Sequence, residues 1–113
     1  MAQATTLGSR KRRFSYYGDL QSGYVINFDY GKVKIDPGFF SRILAAFSGK
    51  TIPGGFSARA PSDKSFGVWI RNNTQYNTDS LSLRHAARIA AVLVAEGYAI
   101  SNVRDKTVYM SFI

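Results

Sequence analysis

The chain has 113 residues, 45% of them hydrophobic and 14% aromatic, which is enough for one domain with a buried core. Its 15 Lys and Arg outnumber 7 Asp and Glu, and the net charge of +8 favours a polyanionic or acidic partner. The lack of cysteine excludes disulfides, thiolate metal sites and thiol nucleophiles, and a single histidine excludes a multi-histidine metal site. No segment has the roughly 18–20 apolar residues of a membrane span. We therefore expect no metal, no cofactor and no membrane partner.

The first 13 residues are basic. They carry no acidic residue, and their cations are Arg10, Lys11, Arg12 and Arg13. No apolar run resembles a secretory signal, which together with the lack of cysteine predicts a cytoplasmic location. A short cationic run can contact nucleic-acid phosphates. We expect residues 1–13 to form a flexible arm that contacts phosphate, or else a tail that only aids solubility, ahead of one domain over residues 14–113.

The domain begins with alternating aromatic residues. Segments 14–17 and 24–30 predict two strands of a hairpin joined by a loop at residues 18–23. Tyr24, Ile26, Phe28 and Tyr30 then share one face. Residues 32–35 alternate lysine with apolar residues and predict a further strand.

A helix is predicted next. Asp36 is a favoured N-cap residue and Pro37 suits the first helical position. Apolar residues from Phe39 to Phe47 recur at helical spacing, and Gly49 is the expected stop. Strands are then predicted at residues 56–59 and 66–71.

A second helix is predicted from Asp79 or Ser80 to Glu96, followed by strands at residues 98–103 and 107–113. From residue 31 onward, the first six elements alternate as strand, helix, strand, strand, helix, strand. That order predicts an α+β domain with a ferredoxin-like βαββαβ sheet, antiparallel-rich and with two helices on one face, plus the N-terminal hairpin.

Catalytic chemistry has little support. Most acidic residues fall at helix starts or in turns, where Asp bonds nearby backbone. His85 lies between Arg84 and Arg88, whose charges would lower its pKa. We expect the protein not to be an enzyme.

The remaining class of function is nucleic-acid binding. If the apolar side chains of each predicted strand face the helices, the opposite sheet face is basic and aromatic. Cations on such a face attract the backbone of a single strand, and rings stack on its bases. The candidate binding residues on the sheet face are Lys32, Lys34, Arg59, Trp69, Arg71 and Tyr109, with the four cations of the arm beside them.

A protein–protein module is the alternative. The aromatic hairpin at residues 14–30 could provide rigid anchors for an acidic protein partner. An exposed edge strand could also pair with a second copy and give a homo-oligomer.

Overall fold

The structure is a computed structural model that describes residues 2–7, 12–28, 31–55, 64–104 and 107–113. Within these ranges the chain forms a mixed α+β domain with two antiparallel sheets and three α-helices. None of the helices in the described ranges is long and apolar enough to cross a membrane.

The first sheet has four strands, which lie side by side in chain order. They are β1 (Ala2–Thr5), β2 (Arg13–Asp19), β3 (Gly23–Phe28) and β4 (Gly31–Ile35). In the register, Tyr16 lies opposite Ile26, which lies opposite Val33. The predicted hairpin and the strand after it are confirmed for the described residues, and residues 29–30 of the second predicted strand lie outside them. Part of the expected flexible arm is instead the edge strand β1, which pairs with β2.

One face of this sheet is the inner face, which packs against helices α1 (Pro37–Phe47) and α3 (Leu83–Ala95). The Tyr24 ring lies 4.7 Å from that of Phe40 on α1, and the Phe28 ring lies 5.2 Å from His85 on α3. Strand side chains alternate between the two faces of a sheet, so the neighbours of these buried residues point to the opposite face. The buried inner-face residues are Phe14, Tyr16, Tyr24, Ile26, Phe28 and Ile35.

The starts of these helices differ in part from expectation. Pro37 occupies the first turn of α1 as predicted, but the Asp36 carboxylate accepts hydrogen bonds from the backbone and hydroxyl of Thr78. Helix α3 begins at Leu83, after the N-cap Ser82, and not at Asp79 or Ser80. The Asp79 carboxylate accepts a bond from the Lys34 backbone N–H, so it secures the edge of β4 and does not cap a helix.

The predicted strand at residues 66–71 is wrong, because this segment is helix α2 (Phe66–Asn72). Ser65 caps it by accepting a bond from the Val68 N–H. Phe66 and Ile70, four residues apart, are both fully buried on this helix. With a helix in place of this strand, the strand order differs from that of a ferredoxin-like sheet. The predicted strand at residues 56–59 lies outside the described residues.

The second sheet has three strands in the order β5-β7-β6. They are β5 (Thr51–Pro53), β6 (Ala99–Arg104) and β7 (Thr107–Phe112), and the last two confirm the predicted C-terminal strands. Phe112 contacts the rings of Phe47 and Phe66 at 5.3 and 6.2 Å. This sheet therefore shares the core with α1 and α2.

Candidate nucleic-acid interface

The second face of the four-stranded sheet, here the outer face, is open in the described structure. Its side chains alternate with the buried inner set and are exposed or half-buried. In β2 the buried residues Phe14 and Tyr16 alternate with residues that face outward, which is the pattern of a sheet covered on one side. The outer-face residues are Gln3, Thr5, Arg13, Ser15, Tyr17, Val25, Asn27, Lys32 and Lys34.

The strand register arranges these residues in rows. Tyr17 lies opposite Val25, which lies opposite Lys34. Asn27 lies opposite Lys32 and donates a hydrogen bond of 2.7 Å from Nδ2 to the Ser15 hydroxyl. The Tyr17 ring is 42% exposed, so it is accessible to a planar ligand.

The charge of the outer face is positive. It carries the cations Arg13, Lys32 and Lys34, and the Lys32 Nζ lies 5.8 Å from the centre of the Tyr17 ring. Asp19 ends β2, where its carboxylate accepts bonds from the N–H groups of Gln21 and Ser22. The bond from Ser22 is the main reason that the pKa of Asp19 is lowered. This carboxylate is thus engaged by backbone donors in the hairpin turn.

The structure brings together some of the predicted site residues and separates others. Arg13, Lys32 and Lys34 lie on the outer face, and Arg12 lies just before β2. Trp69 and Arg71 lie on α2, and Tyr109 lies on β7 of the other sheet. Arg10, Lys11 and Arg59 lie outside the described residues.

Trp69 does not lie on an open sheet face. Its ring packs 5.8 Å from Phe39 and 5.4 Å from Phe47, and the residue is half-buried against α1. The expected pairing of Trp69 with Lys32 and Lys34 fails because it required a strand at residues 66–71. Tyr109 also lies away from the lysines, and the cation beside its ring is the Arg104 guanidinium at 5.8 Å.

The basic arm is anchored beside the outer face. Thr6 N–H donates to the Arg12 carbonyl, and Arg12 N–H donates to the Thr6 hydroxyl, both at 2.9 Å. The described residues on the two sides of segment 8–11 are therefore joined next to Arg13. The cations predicted for the arm are connected to the same end of the sheet as the outer face.

Tyr17 is the aromatic residue of the outer face that the sequence prediction leaves out. The sequence prediction treats the aromatic residues of the hairpin as one set, although Tyr17 is adjacent to Tyr16. A period of two places neighbouring residues on opposite faces. That alternation over residues 13–17 distinguishes the exposed ring of Tyr17 from the buried ring of Tyr16.

His85 lies away from this face and makes a structural contact. Nδ1 of His85 accepts a bond from the Ser82 N–H and completes a capping box at the start of α3. Burial, then the charges of Arg84 and Arg88, lower the pKa of His85. In the described ranges, no group of three His, Cys, Asp or Glu residues could hold a metal ion.

Glu96 joins the end of α3 to the first sheet. Its carboxylate oxygens accept bonds of 3.0 Å from the hydroxyls of Tyr16 and Tyr24. Burial, reinforced by Glu96, raises the pKa of Tyr16 to about 12 and raises the pKa of Tyr24 further. These phenols are therefore neutral hydrogen-bond donors at physiological pH.

Comparison with known proteins gives no match: no family model matches the chain, and neither a curated protein nor a solved structure does.

Proposed function

We propose that the protein is a non-enzymatic nucleic-acid-binding protein that holds a single strand on the outer face. The observation that supports this most directly is that Arg13, Lys32 and Lys34 share an open sheet face with the exposed ring of Tyr17. Cations attract the phosphate backbone without regard to sequence, and an exposed ring stacks on a base.

A single strand suits this face better than a duplex. Bases are available for stacking only where they are unpaired, whereas a duplex hides their faces. Val25 lies between Tyr17 and Lys34, so the ring and the cation are separated by one strand. A nucleotide whose base lies on Tyr17 can direct its phosphate toward a lysine. Ser15 and Asn27 provide hydrogen-bonding groups beside them.

The arm extends the same surface. Because Thr6 and Arg12 hold the two ends of this segment together, the cations predicted to contact phosphate are tethered next to Arg13. We propose that Arg10, Lys11 and Arg12 contact the backbone of the strand as it leaves the sheet.

The alternative use of the hairpin as a protein-binding surface has less support. The aromatic side chains that would provide anchors, Phe14, Tyr16, Tyr24 and Phe28, are buried against the protein's own helices. An anchor must be exposed in the free protein to enter a partner's pocket.

The first test is the salt dependence of binding to a labelled single-stranded oligonucleotide, measured by fluorescence anisotropy. Three phosphate contacts on the outer face and three from the arm give a slope near −4 on a single strand, so affinity should fall about 300-fold between roughly 50 and 200 mM salt. The double variant Lys32→Gln/Lys34→Gln should reduce the slope by about 1.4. The matched control is Lys50→Gln/Arg71→Gln, which removes the same charge from exposed positions off the outer face.

A second variant tests stacking. Tyr17→Leu should weaken binding by about 1–3 kcal/mol, which is roughly 5- to 150-fold, while Tyr76→Leu should have little effect. Tyr76 is a suitable control because its ring is 47% exposed but lies outside this sheet. Equal losses for the face and control variants would show that only net charge matters. No binding at low salt would exclude the proposed function.

A further inference from the structure

Arg88 lies on α3, half-buried against the inner face of the first sheet. Among the described residues, its Nε is the only buried side-chain nitrogen or oxygen that has no hydrogen-bond partner. The two Nη groups are not enclosed in this way, and no acceptor in the same ranges of the chain binds them. Buried polar groups in proteins are nearly always hydrogen-bonded, so an arginine without an acceptor calls for an explanation.

Two phenyl rings hold the Arg88 guanidinium in place. Its central carbon lies 4.4 Å from the centre of the Phe28 ring on β3 and 5.6 Å from that of Phe14 on β2. The attraction between the cation and these rings offsets part of the cost of removing a charge from water. The N–H donors, however, lie in the guanidinium plane and require oxygen acceptors. The side chain is therefore fixed in position while its hydrogen-bonding edge is unused.

The charges near Arg88 on α3 repel one another. Arg84 lies one turn earlier on the same helix, and like charges four residues apart destabilise a helix. Besides burial, the charges of both arginines lower the pKa of His85, so the two cations act on one small region. The first turn of α3 contains no acidic residue that would offset them. A bound anion would relieve this repulsion and supply the missing acceptor.

We propose that Arg88 binds a phosphate group through its two Nη groups, with Arg84 adding a second positive charge, on the helix side of the first sheet. The planar fork of a guanidinium matches two phosphate oxygens, and stacking on the rings orders the fork before the ligand arrives. A phosphate monoester carries a charge of about −1.5 to −2 at neutral pH, which suits two arginines. A carboxylate carries a single negative charge and would leave one cation without compensation.

The Arg88 site lies at the end of the sheet where the basic arm joins it. Phe14, which contacts Arg88, directly follows Arg13 of the outer face in β2. The two guanidinium groups therefore belong to opposite sides of the same strand end. The phosphate can be the terminal group of a nucleic-acid strand that reaches around this end, or it can belong to a small phosphorylated molecule. The chemistry at Arg88 is the same in both cases.

The first test is a titration of the wild-type protein with inorganic phosphate at constant ionic strength, followed by ¹H–¹⁵N NMR. The enclosed Nε–H of Arg88 should give a resonance that is absent in Arg88→Lys. Two charge-assisted hydrogen bonds at an accessible site support a dissociation constant of about 1 mM, so this resonance should shift and saturate in that range. No saturable shift up to about 20 mM, or an equal response to acetate, would overturn the proposal.

The matched variants are Arg88→Lys and Arg42→Lys. Arg42 also stacks on a ring, at 3.8 Å from the centre of Tyr76, but it is exposed and lies on α1. Each variant keeps its charge and loses the planar fork. Phosphate affinity, followed through the backbone amides of α3, should fall about 10-fold in Arg88→Lys and stay unchanged in Arg42→Lys. Equal affinities in the two variants would refute the role of the Arg88 fork.

Oligonucleotides with and without a 5′ or 3′ phosphate identify the source of the ligand. Tighter binding of the phosphorylated strand by the wild type, lost in Arg88→Lys, would assign the site to strand ends. Equal binding of both strands, together with a saturable response to inorganic phosphate, would assign it to small phosphorylated molecules. The phosphate titration contains no nucleic acid, so its result is independent of the proposed function.

Discussion

Gly67→Ala should destabilise the protein, although alanine is normally the better residue in a helix. Gly67 lies in the first turn of α2, is buried, and donates a hydrogen bond of 2.8 Å to the Gly54 carbonyl. A Cβ at this position would lie 2.3 Å from the Gly55 carbonyl oxygen and 3.0 Å from Cδ2 of Leu83. The leucine can rotate, but the carbonyl oxygen belongs to the backbone and can move only with its segment.

The effect of Gly67→Ala on the free energy of unfolding is the sum of opposing contributions. Alanine gains at most about 1 kcal/mol in helix propensity. Overpacking against a fixed neighbour typically costs about 1–3 kcal/mol, and weakening the bond to Gly54 costs about 1 kcal/mol more. The net loss is therefore about 1–3 kcal/mol. For a chain of this length, that lowers the melting temperature by about 4–12 °C.

Gly38→Ala is the matched control, because Gly38 lies in the first turn of α1 and nothing lies within 4 Å of its added Cβ. Its melting temperature should stay equal to the wild-type value or rise by up to about 4 °C. Both variants are compared with wild type by thermal melts followed by circular dichroism. A Gly67→Ala variant that melts at or above the wild-type temperature would refute the close contact between α2 and residues 54–55.

Three further changes test other contacts. Asn77→Ala should cost about 1–2 kcal/mol in urea titrations, because the buried Asn77 amide accepts from the Asp36 N–H, and its loss leaves this half-buried donor without that partner. Burial, reinforced by Glu96, raises the pKa of Tyr16 from about 10 to about 12 on folding, so stability should fall as pH rises above 10. Tyr16→Phe should show a smaller fall, and an unchanged slope would contradict the raised pKa of Tyr16. Folding lowers the pKa of His85, so stability should decrease as pH falls through about 6.5. The decrease should be smaller in His85→Gln. Equal acid sensitivity of the two proteins would contradict the lowered pKa of His85.

Local signals account for the parts of the fold that were predicted correctly. The alternation from Tyr24 to Phe28 predicts a one-sided strand, and Pro37 with the apolar spacing after it predicts α1. These patterns persist long enough for a period of two to be distinguished from a period of 3.6. Helical spacing likewise predicts α3, but the predicted start at Asp79 or Ser80 is earlier than the observed start at Leu83.

Segment 66–71 was too short for that distinction. Phe66, Val68 and Ile70 alternate like a strand, yet Phe66 and Ile70 are also four residues apart, as on one face of a helix. Ser65 carried the deciding signal, because a serine before an apolar segment can cap a helix. The sequence alone does not show that this cap forms a helix, because the helix also depends on the packing of Trp69 against Phe39 and Phe47 of α1.

The candidate site was predictable only in part for the same reason. Alternation alone places Lys32 and Lys34 on a common face. Which other strands share that face depends on pairing between distant segments, and no local pattern specifies it. Tyr17 joins the lysines because β3 lies between β2 and β4, whereas Tyr109 belongs to the other sheet.

The position of Trp69 makes it an internal fluorescent reporter. It is the only tryptophan of the chain, and it lies between Phe39 and Phe47 on the helical side of the four-stranded sheet. Its emission should shift to the red when α1 and α2 separate, but it should respond little to a strand stacked on Tyr17. Tryptophan emission and tyrosine quenching therefore give separate optical channels for unfolding and for ligand titration in an unlabelled sample.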